Sequence, residues 1–448
     1  MSFLTRLFSL GLFLLLSMGS AVAQFTWQSL RGAPTNGSKQ DGIWFIHPDT
    51  GWVVNGSGRI YRTLDGGATW LQQRNSPGTY FRAVRFVNGQ VGFAGNIGPG
   101  YFPGVTDTSI LYRTNDGGNS WIDCTPSISG TVPAGICAID APTPQVLYAG
   151  GRVGSPAVMI KSTDGGLSWA GIDMPSSCKM ILDIHFSSPD TGLVFAGTNA
   201  NIALARGLIL RTTDGGQTWD EVYRGARTYE ILWKASFPSR QVGYATVQSY
   251  SSTNNQRYVL KTVDGGATWT EQLFSTQGVR TFGIGFVNDS VGWMGAENGG
   301  YETRNGGRIW VSRNIGQYAN KLCIVQDAQG RSTGYAVGLN VYKLTQGTAT
   351  ALLSKPTASG TPLLFPNPAL SGGDVSLSLE GLPSRVLRAE LVQVTTGRIH
   401  LLFQGYFKGT QESPFNFRLP AVAPGAYVVR FYDAMGRVTS QKFQIRAE

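Results

Sequence analysis

Lys261–Trp269 reads KTVDGGATW, and the reading of this stretch decides the fold. It returns as RTLDGGATW (Arg62–Trp70), RTNDGGNSW (Arg113–Trp121), KSTDGGLSW (Lys161–Trp169) and RTTDGGQTW (Arg211–Trp219), with a degenerate copy, ETRNGGRIW, at Glu302–Trp310. The turn acids Asp65, Asp116, Asp164, Asp214 and Asp264 recur about every 50 residues, a period that marks repeat architectures, and Asn305 stands in for the sixth. Each copy reads as a strand, a tight turn, and a second strand opening at Trp70, Trp121, Trp169, Trp219, Trp269 or Trp310. Asp at a turn entry accepts hydrogen bonds from backbone N–H groups further round the turn, and two glycines take positive φ without steric cost. The Trp supplies a large apolar body and one N–H. Nothing in the unit is a nucleophile, an acid in a cleft or a metal ligand. It reads as a structural part.

A second unit appears once per period: an apolar strand, a polar turn, then Gly-aromatic-small-small. Ile43–Val54, Phe81–Gly95, Ile181–Gly197, Thr281–Gly295 and Cys323–Gly338 show it, with weaker versions at Ile136–Gly150 and Ile231–Thr246. Each is a hairpin of half-buried strands, and with the DGG hairpin after it makes four strands, a propeller blade. Seven inner hairpins meet only six turn motifs. The seventh blade ends at Val341–Leu344, so its outer strand is expected from the other end of the chain, at Phe25–Leu30 around Trp27. Closing the ring in this way removes an exposed sheet edge. Residues 346–361, rich in Thr, Ala, Ser and Gly, read as a linker. Short alternating strands then follow at Val375–Leu379, Arg388–Val394, Ile399–Phe403, Phe415–Leu419, Ala426–Tyr432 and Val438–Ile445. The expectation is an all-β chain: a seven-bladed β-propeller with N-terminal strand closure over 24–345, then a small C-terminal β-sandwich over 362–448.

Composition agrees. Charged residues are only 14% of the 448 and glycines number 59, which suits a turn-rich β protein. Residues 1–23 read as a signal peptide: Arg6, the apolar run Leu7–Leu16, and Ala21-Val22-Ala23 with cleavage after Ala23. No stretch is long enough for a transmembrane segment of the mature chain. Export would bring the four cysteines into an oxidising compartment. Cys124 and Cys137 are the pair to test first for a disulfide, with buried thiols as the alternative.

In a propeller the DGG turns occupy one face, and the loops between second and third strands and between blades occupy the other. Those loops are long in blades two to five: Asn96–Thr108, Gly151–Ala157, Thr198–Arg206 and Val247–Arg257. Arg82, Arg152, Arg206, Arg224, Arg227, Arg257, Arg280 and Arg313 fall on or near them, and the formal net charge is +10. This ligand face is therefore expected to carry positive potential and to take an acidic glycan or acidic peptide surface. Nucleic acid is not expected. For an enzyme, Asp41, Asp183 and Glu230 are the conceivable carboxylates, but the sequence pairs none of them. There is no Walker A, Gly-x-Ser-x-Gly or His-Glu-x-x-His motif, and His47, His185 and His400 are scattered. No catalytic residue, cofactor or metal site is assigned.

The [Ser/Thr]-x-Asp-Gly-Gly-x-[Thr/Ser]-Trp copies resemble the Asp-box, or bacterial neuraminidase, repeat. Phe25–Leu344 most resembles single-propeller proteins related to photosystem II assembly and stability factors. That resemblance implies a non-enzymatic, chaperone-like binding or scaffold protein. The same repeats occur in sialidases and xyloglucan-cleaving glycosidases, so a glycoside hydrolase acting on extracellular polysaccharide is the alternative. Against it, the Arg-Ile-Pro motif of sialidases is missing, and the xyloglucan enzymes usually have two propellers. The C-terminal region resembles the sorting domain of the type IX secretion system. It carries Phe365-Pro366-Asn367-Pro368, Val394–Arg398, Leu419-Pro420, Pro424–Arg430 with Gly425 and Tyr427, and the last strand Lys442–Ile445. This implies recognition by that machinery and an extracellular or surface-attached destination by way of the periplasm.

Overall fold

The computed structural model describes residues 25–35, 39–151, 157–346, 363–365, 369–372, 374–378, 386–396, 398–404, 415–433 and 438–446. The expected signal peptide with Ala23, Arg152, most of the expected linker and Pro366–Pro368 lie outside the described residues.

Seven sheets of four main strands each follow one another along the chain. Their innermost strands are Gln40–His47, Phe81–Phe86, Ala138–Asp140, Met180–Phe186, Glu230–Ser236, Thr281–Phe286 and Lys321–Gln326. Each innermost strand touches the next, and the seventh touches the first, so the sheets stand in a ring around an axis. The third sheet gains a short fifth strand, Ile128–Ser129, parallel to Trp169–Asp173. The expected closure is present. Phe25–Ser29 lies antiparallel on Val341–Gln346, with Trp27 opposite Leu344, as the outermost strand of the seventh sheet. Phe25 and Trp27 both meet the buried Trp293 ring edge-on, at centroid distances of 5.1 and 5.9 Å. The seam between first and last residues of the ring is thus an aromatic cluster.

The joints between sheets explain the sequence pattern. On the inner hairpins, a ring from one sheet stacks on an inner-strand Phe of the next. Tyr335 lies on Phe45, Trp52 on Phe86, Tyr148 on Phe186 and Tyr244 on Phe286, with centroids 3.4–3.8 Å apart. The glycine opposite each Phe leaves room for the ring: a Cβ at Gly192 would stand 2.3 Å from Phe186. Lysines at the cation position of the repeat belong to the same joint. Lys343, Lys161 and Lys261 donate from Nζ to the carbonyls of Gly66, Gly215 and Gly306 in the following sheet, at 2.8–3.0 Å. Tyr335 and Tyr148 donate to the carbonyls of Gly66 and Gly215 as well, at 3.2 Å. The turns at Gly66, Gly215 and Gly306 are therefore fasteners between neighbours.

Within the turns the Asp side chain works as expected. In the first, Asp65 accepts from Thr63 Oγ1 (2.8 Å), Thr69 N (2.9 Å) and Thr69 Oγ1 (2.5 Å). The hydroxyl of Thr69 above all holds the Asp65 carboxyl down to about 2, and the equivalent Ser120 and Thr268 do the same for Asp116 and Asp264. Asp164 and Asp214 lie well below the usual carboxylate range through Ser168 and Thr218. Asn305 keeps the backbone bond, accepting from Ile309 N at 2.9 Å, but Ile309 has no hydroxyl to add. The sixth hairpin forms without its second fastening.

Two expectations need correcting. Cys124 and Cys137 are not bridged: both are buried as thiols, in separate apolar clusters. Burial pushes the Cys124 thiol up, as it does those of Cys178, to about 12, and Cys323. The core absorbs these small apolar side chains without needing a staple. The second correction concerns Arg313. It lies along the outer strand Val311–Gln317, with its Nε 2.7 Å from Glu302, and not on a loop of the opposite face.

Residues beyond 362 form a three-stranded sheet, Leu363–Phe365, Asp374–Ser378 and Phe415–Arg418, and a five-stranded one centred on Val386–Gln393 and Gly425–Asp433. Tyr427 is core: its ring is buried and its hydroxyl donates to Ala423 O at 2.6 Å. Gly425 opens the strand that carries it, and Phe365 closes Leu363–Phe365. The strands Leu363–Phe365 and Ala369–Leu370 were not expected from the sequence.

Candidate functional site

Inner strands begin on the face opposite the DGG turns, and there the regular pairing breaks. Five of the seven carry a register shift near their upper end: between Gln40 and Gly42, Phe81 and Ala83, Ile181 and Asp183, Leu232 and Ala235, and Thr281 and Ile284. Each inserts one residue more than its partner strand has. A bulge re-aims a side chain and interrupts the period-2 alternation. The displaced residues are Asp41, Arg82, Leu182, Trp233 with Lys234, and Phe282 with Gly283. They meet around the axis.

Their polar groups interlock. Arg82 Nη1 is 2.6 Å from Asp41 Oδ1, and the Asp41 side chain is fully buried. Asn320 Nδ2 donates to the same oxygen at 3.1 Å, and Trp233 Nε1 donates to Asn320 Oδ1 at 3.2 Å. The Arg82 guanidinium lies 4.8 Å from the centre of the Trp233 ring. Side chains from the first, second, fifth and seventh sheets thus form one plug. Beneath it Lys234 donates to Leu182 O at 2.5 Å and sits 3.5 Å from Asp183. Burial lowers the Lys234 ammonium to about 8, against the pull of Asp183. Asp41 Oδ2 is buried with no hydrogen-bond partner.

Above the plug lies a shallow bowl of aromatic rings with cations laid on them. Lys39 Nζ is 5.8 Å from the Phe282 ring and 5.9 Å from that of Tyr318, and Arg280 is 4.9 Å from Tyr250. Burial pulls the Lys39 ammonium down, and Asp41 partly restores it. Tyr80, Tyr101 and Phe102 continue the rim from the second sheet, where Tyr80 and Phe102 are 4.9 Å apart. Tyr318 and Tyr229 are the two non-glycine residues with positive φ among the described residues, at 52° and 62°. Strained backbone of this kind gathers at ligand-facing positions. Among the described residues it lies on this face alone.

The structure sorts the expected arginines. Arg82 belongs to the plug. Arg227 bridges Glu230 (2.9 Å) and Glu271 (2.9 Å), and Arg224 pairs with Glu221. Arg257 is buried and caps carbonyls of Ser251, Asn254, Gln256 and Val279, so it organises its own long loop. Arg206 donates to Ala226 O at 2.8 Å and remains exposed. Arg280 keeps only a half-exposed contact of 3.3 Å with Glu297. Of the arginines expected on this face, Arg206 and Arg280 are left outside close internal pairs, and Lys39 joins them. Sequence reasoning missed Trp233, Lys234, Phe282 and Asn320. The available signal was a charged residue inside an apolar strand start, as in QDGIWF, FRAVRF and ILWKA.

The three candidate carboxylates are all committed. Asp41 holds Arg82, and Asp183 accepts from Ala235 N at 2.9 Å. Glu230 holds Arg227, and burial raises its carboxyl. They occupy separate ion pairs. No cluster of potential metal ligands is present among the described residues.

No protein-family model matches this chain, and no curated protein does. Solved structures do match in fold. YCF48 bound to a D1 peptide aligns at TM-score 0.51 and 17% identity, over 72% of this chain and 97% of its own. YCF48 from Cyanidioschyzon merolae gives 0.51 and 19%, over 72% and 98%. An ancestral GH74 enzyme gives 0.53 and 14%, over 93% of this chain and 63% of its own. The chain is a β-propeller with the fold of YCF48. At these identities the likeness is one of fold.

Proposed function

We propose that this is a non-catalytic propeller that binds an acidic protein segment in the bowl on its bulged face, as a scaffold or assembly-factor-like protein. The observation that carries the reading is the placement of Lys39 and Arg280 on aromatic rings there, while the nearby carboxylates are consumed by internal pairs. Such a surface pairs with an anion and offers ring faces to what flanks it. A peptide ligand is also what one YCF48 structure holds. The test is a titration of the full chain with a glutamate-rich peptide at rising salt. Affinity should fall steeply with salt and be lost in Lys39→Gln/Arg280→Gln. An acidic glycan is the other ligand of the same chemistry, and a sulfated glucan in a parallel titration separates the two.

A glycoside hydrolase is the second reading, favoured by the fold shared with a GH74 enzyme. It needs a pair of available carboxyls, one of them free to give a proton. Release of reducing ends from xyloglucan or a polyuronide, abolished in Asp41→Asn, Asp183→Asn or Glu230→Gln, would replace the first reading with this one.

The signal peptide and the resemblance of residues 362–448 to a type IX sorting domain support export to the cell surface or medium. Among the described residues no helix is long and apolar enough to cross a membrane. Removal of 363–448 should hold the protein in the periplasm, and surface delivery of the shortened chain would refute this part.

A further inference from the structure

The sixth turn departs from the other five at three positions, and all three departures face the same way. Glu302 stands where Arg62, Arg113, Lys161, Arg211 and Lys261 stand. Asn305 replaces Asp, and Ile309 replaces a Thr or Ser that is exposed in every other turn, whereas Ile309 is 9% exposed. The first change follows from the ring itself. The cation of each fastener reaches the turn of the following sheet, and the seventh sheet has no DGG turn to receive one. Position 302 is released from that duty. Its carboxylate is buried and clipped by Arg304 Nε at 2.6 Å and Arg313 Nε at 2.7 Å.

The C-terminal unit presents a matching surface. Glu390 is buried, held by Arg388, and accepts from the Tyr432 hydroxyl at 2.7 Å. Arg388 Nη1 also donates to the carbonyl of Arg308, inside the sixth turn, at 3.3 Å. Ile309, Val311, Tyr432 and Val438 line a gap of about 100 Å³ between the two surfaces. Each side has neutralised its own carboxylate with its own cations. Bringing the two together therefore strands no unpaired carboxylate, which is the condition for burying such groups cheaply. The apolar side chains and one hydrogen bond to a turn carbonyl supply attraction and register.

We infer that the sixth turn is the docking site for this chain's own C-terminal β-sandwich, and that Asn305 and Ile309 are there for docking and not through decay of the repeat. The inference is independent of the ligand proposed for the bowl. Restoring the repeat separates docking from folding, because Asn305→Asp/Ile309→Thr rebuilds a turn that five neighbours show to be sound. In the full chain, the melting temperature of this variant should not fall. Its maximum dimension in small-angle scattering should rise, and amides of Arg304–Val311 should lose exchange protection. Val438→Asp, a change at an exposed position of the sandwich, should give the same two signals. Unchanged scattering and exchange in both variants would overturn the proposal. So would undocking by Val438→Asp alone, since the departures of the sixth turn would then have no part in it.

Discussion

The two faces of the ring follow opposite rules. On one, the same turn is repeated with its glycines and its Trp, and the copies at Gly66, Gly215 and Gly306 bind the neighbouring sheet through the Gly carbonyl. On the other, five inner strands break register at the same level, each with a different side chain: Asp41, Arg82, Leu182, Trp233 or Phe282. Repetition marks the parts that every sheet needs in order to stand. Departure from it marks what only the assembled ring can do. The sixth turn obeys the second rule although it lies on the first face.

Four experiments bear on this contrast, the largest effect first. Asp41→Ala leaves the Arg82 guanidinium buried without its carboxylate, and should cost about 3–5 kcal/mol in urea unfolding, the usual penalty for breaking a buried pair. Replacing Arg82 with Leu in the same chain should recover much of it. Gly192→Ala drives a methyl to 2.3 Å from the Phe186 ring, so a loss of about 1–3 kcal/mol is expected as the joint between the third and fourth sheets spreads. Tyr335→Phe removes the hydroxyl that donates to Pro48 O and Gly66 O, and should cost about 1 kcal/mol by thermal unfolding.

The fourth is a pH profile. Asp65, Asp116 and Asp264 are held down to about 2 in the folded chain, below their ordinary value of 3.8. The folded state therefore binds fewer protons than the unfolded one in this range. The stability they contribute is complete above pH 3.8 and lost as the pH falls through about 2. Asp65→Asn should flatten the slope of stability against pH between these limits and leave it unchanged at pH 7 to 9. A slope unaltered by the substitution would mean the turn acids are not the source of acid sensitivity.

The legible part of the fold was the part that repeats or that fails to balance. Seven hairpins against six turns was enough to send Trp27 to the far end of the chain. The alternating strands after residue 374 were readable because each has one apolar face. The bowl was not legible for a physical reason. A bulge shifts every later side chain by one position without changing composition, so beyond the lone charge of Lys234 the pattern of Leu232–Ala235 gives no sign that Trp233 and Lys234 turn toward the axis. Charge was read in the right region but without partners. Arg227, Arg257 and Arg313 look like ligand-facing cations until Glu271, the loop carbonyls and Glu302 are seen beside them. The cysteines misled in the same way, since closeness in sequence says nothing of the clusters into which Cys124 and Cys137 fold.

The most direct test of the account compares the two faces in one binding experiment. The full chain, Lys39→Gln/Arg280→Gln and Asp65→Asn/Asp214→Asn would each be titrated with the same glutamate-rich peptide by calorimetry at low salt. The account predicts that the bowl variant binds at least about tenfold more weakly, a change of about 1.4 kcal/mol, while the turn variant binds as the parent does. Equal binding by the bowl variant, or loss confined to the turn variant, would contradict it.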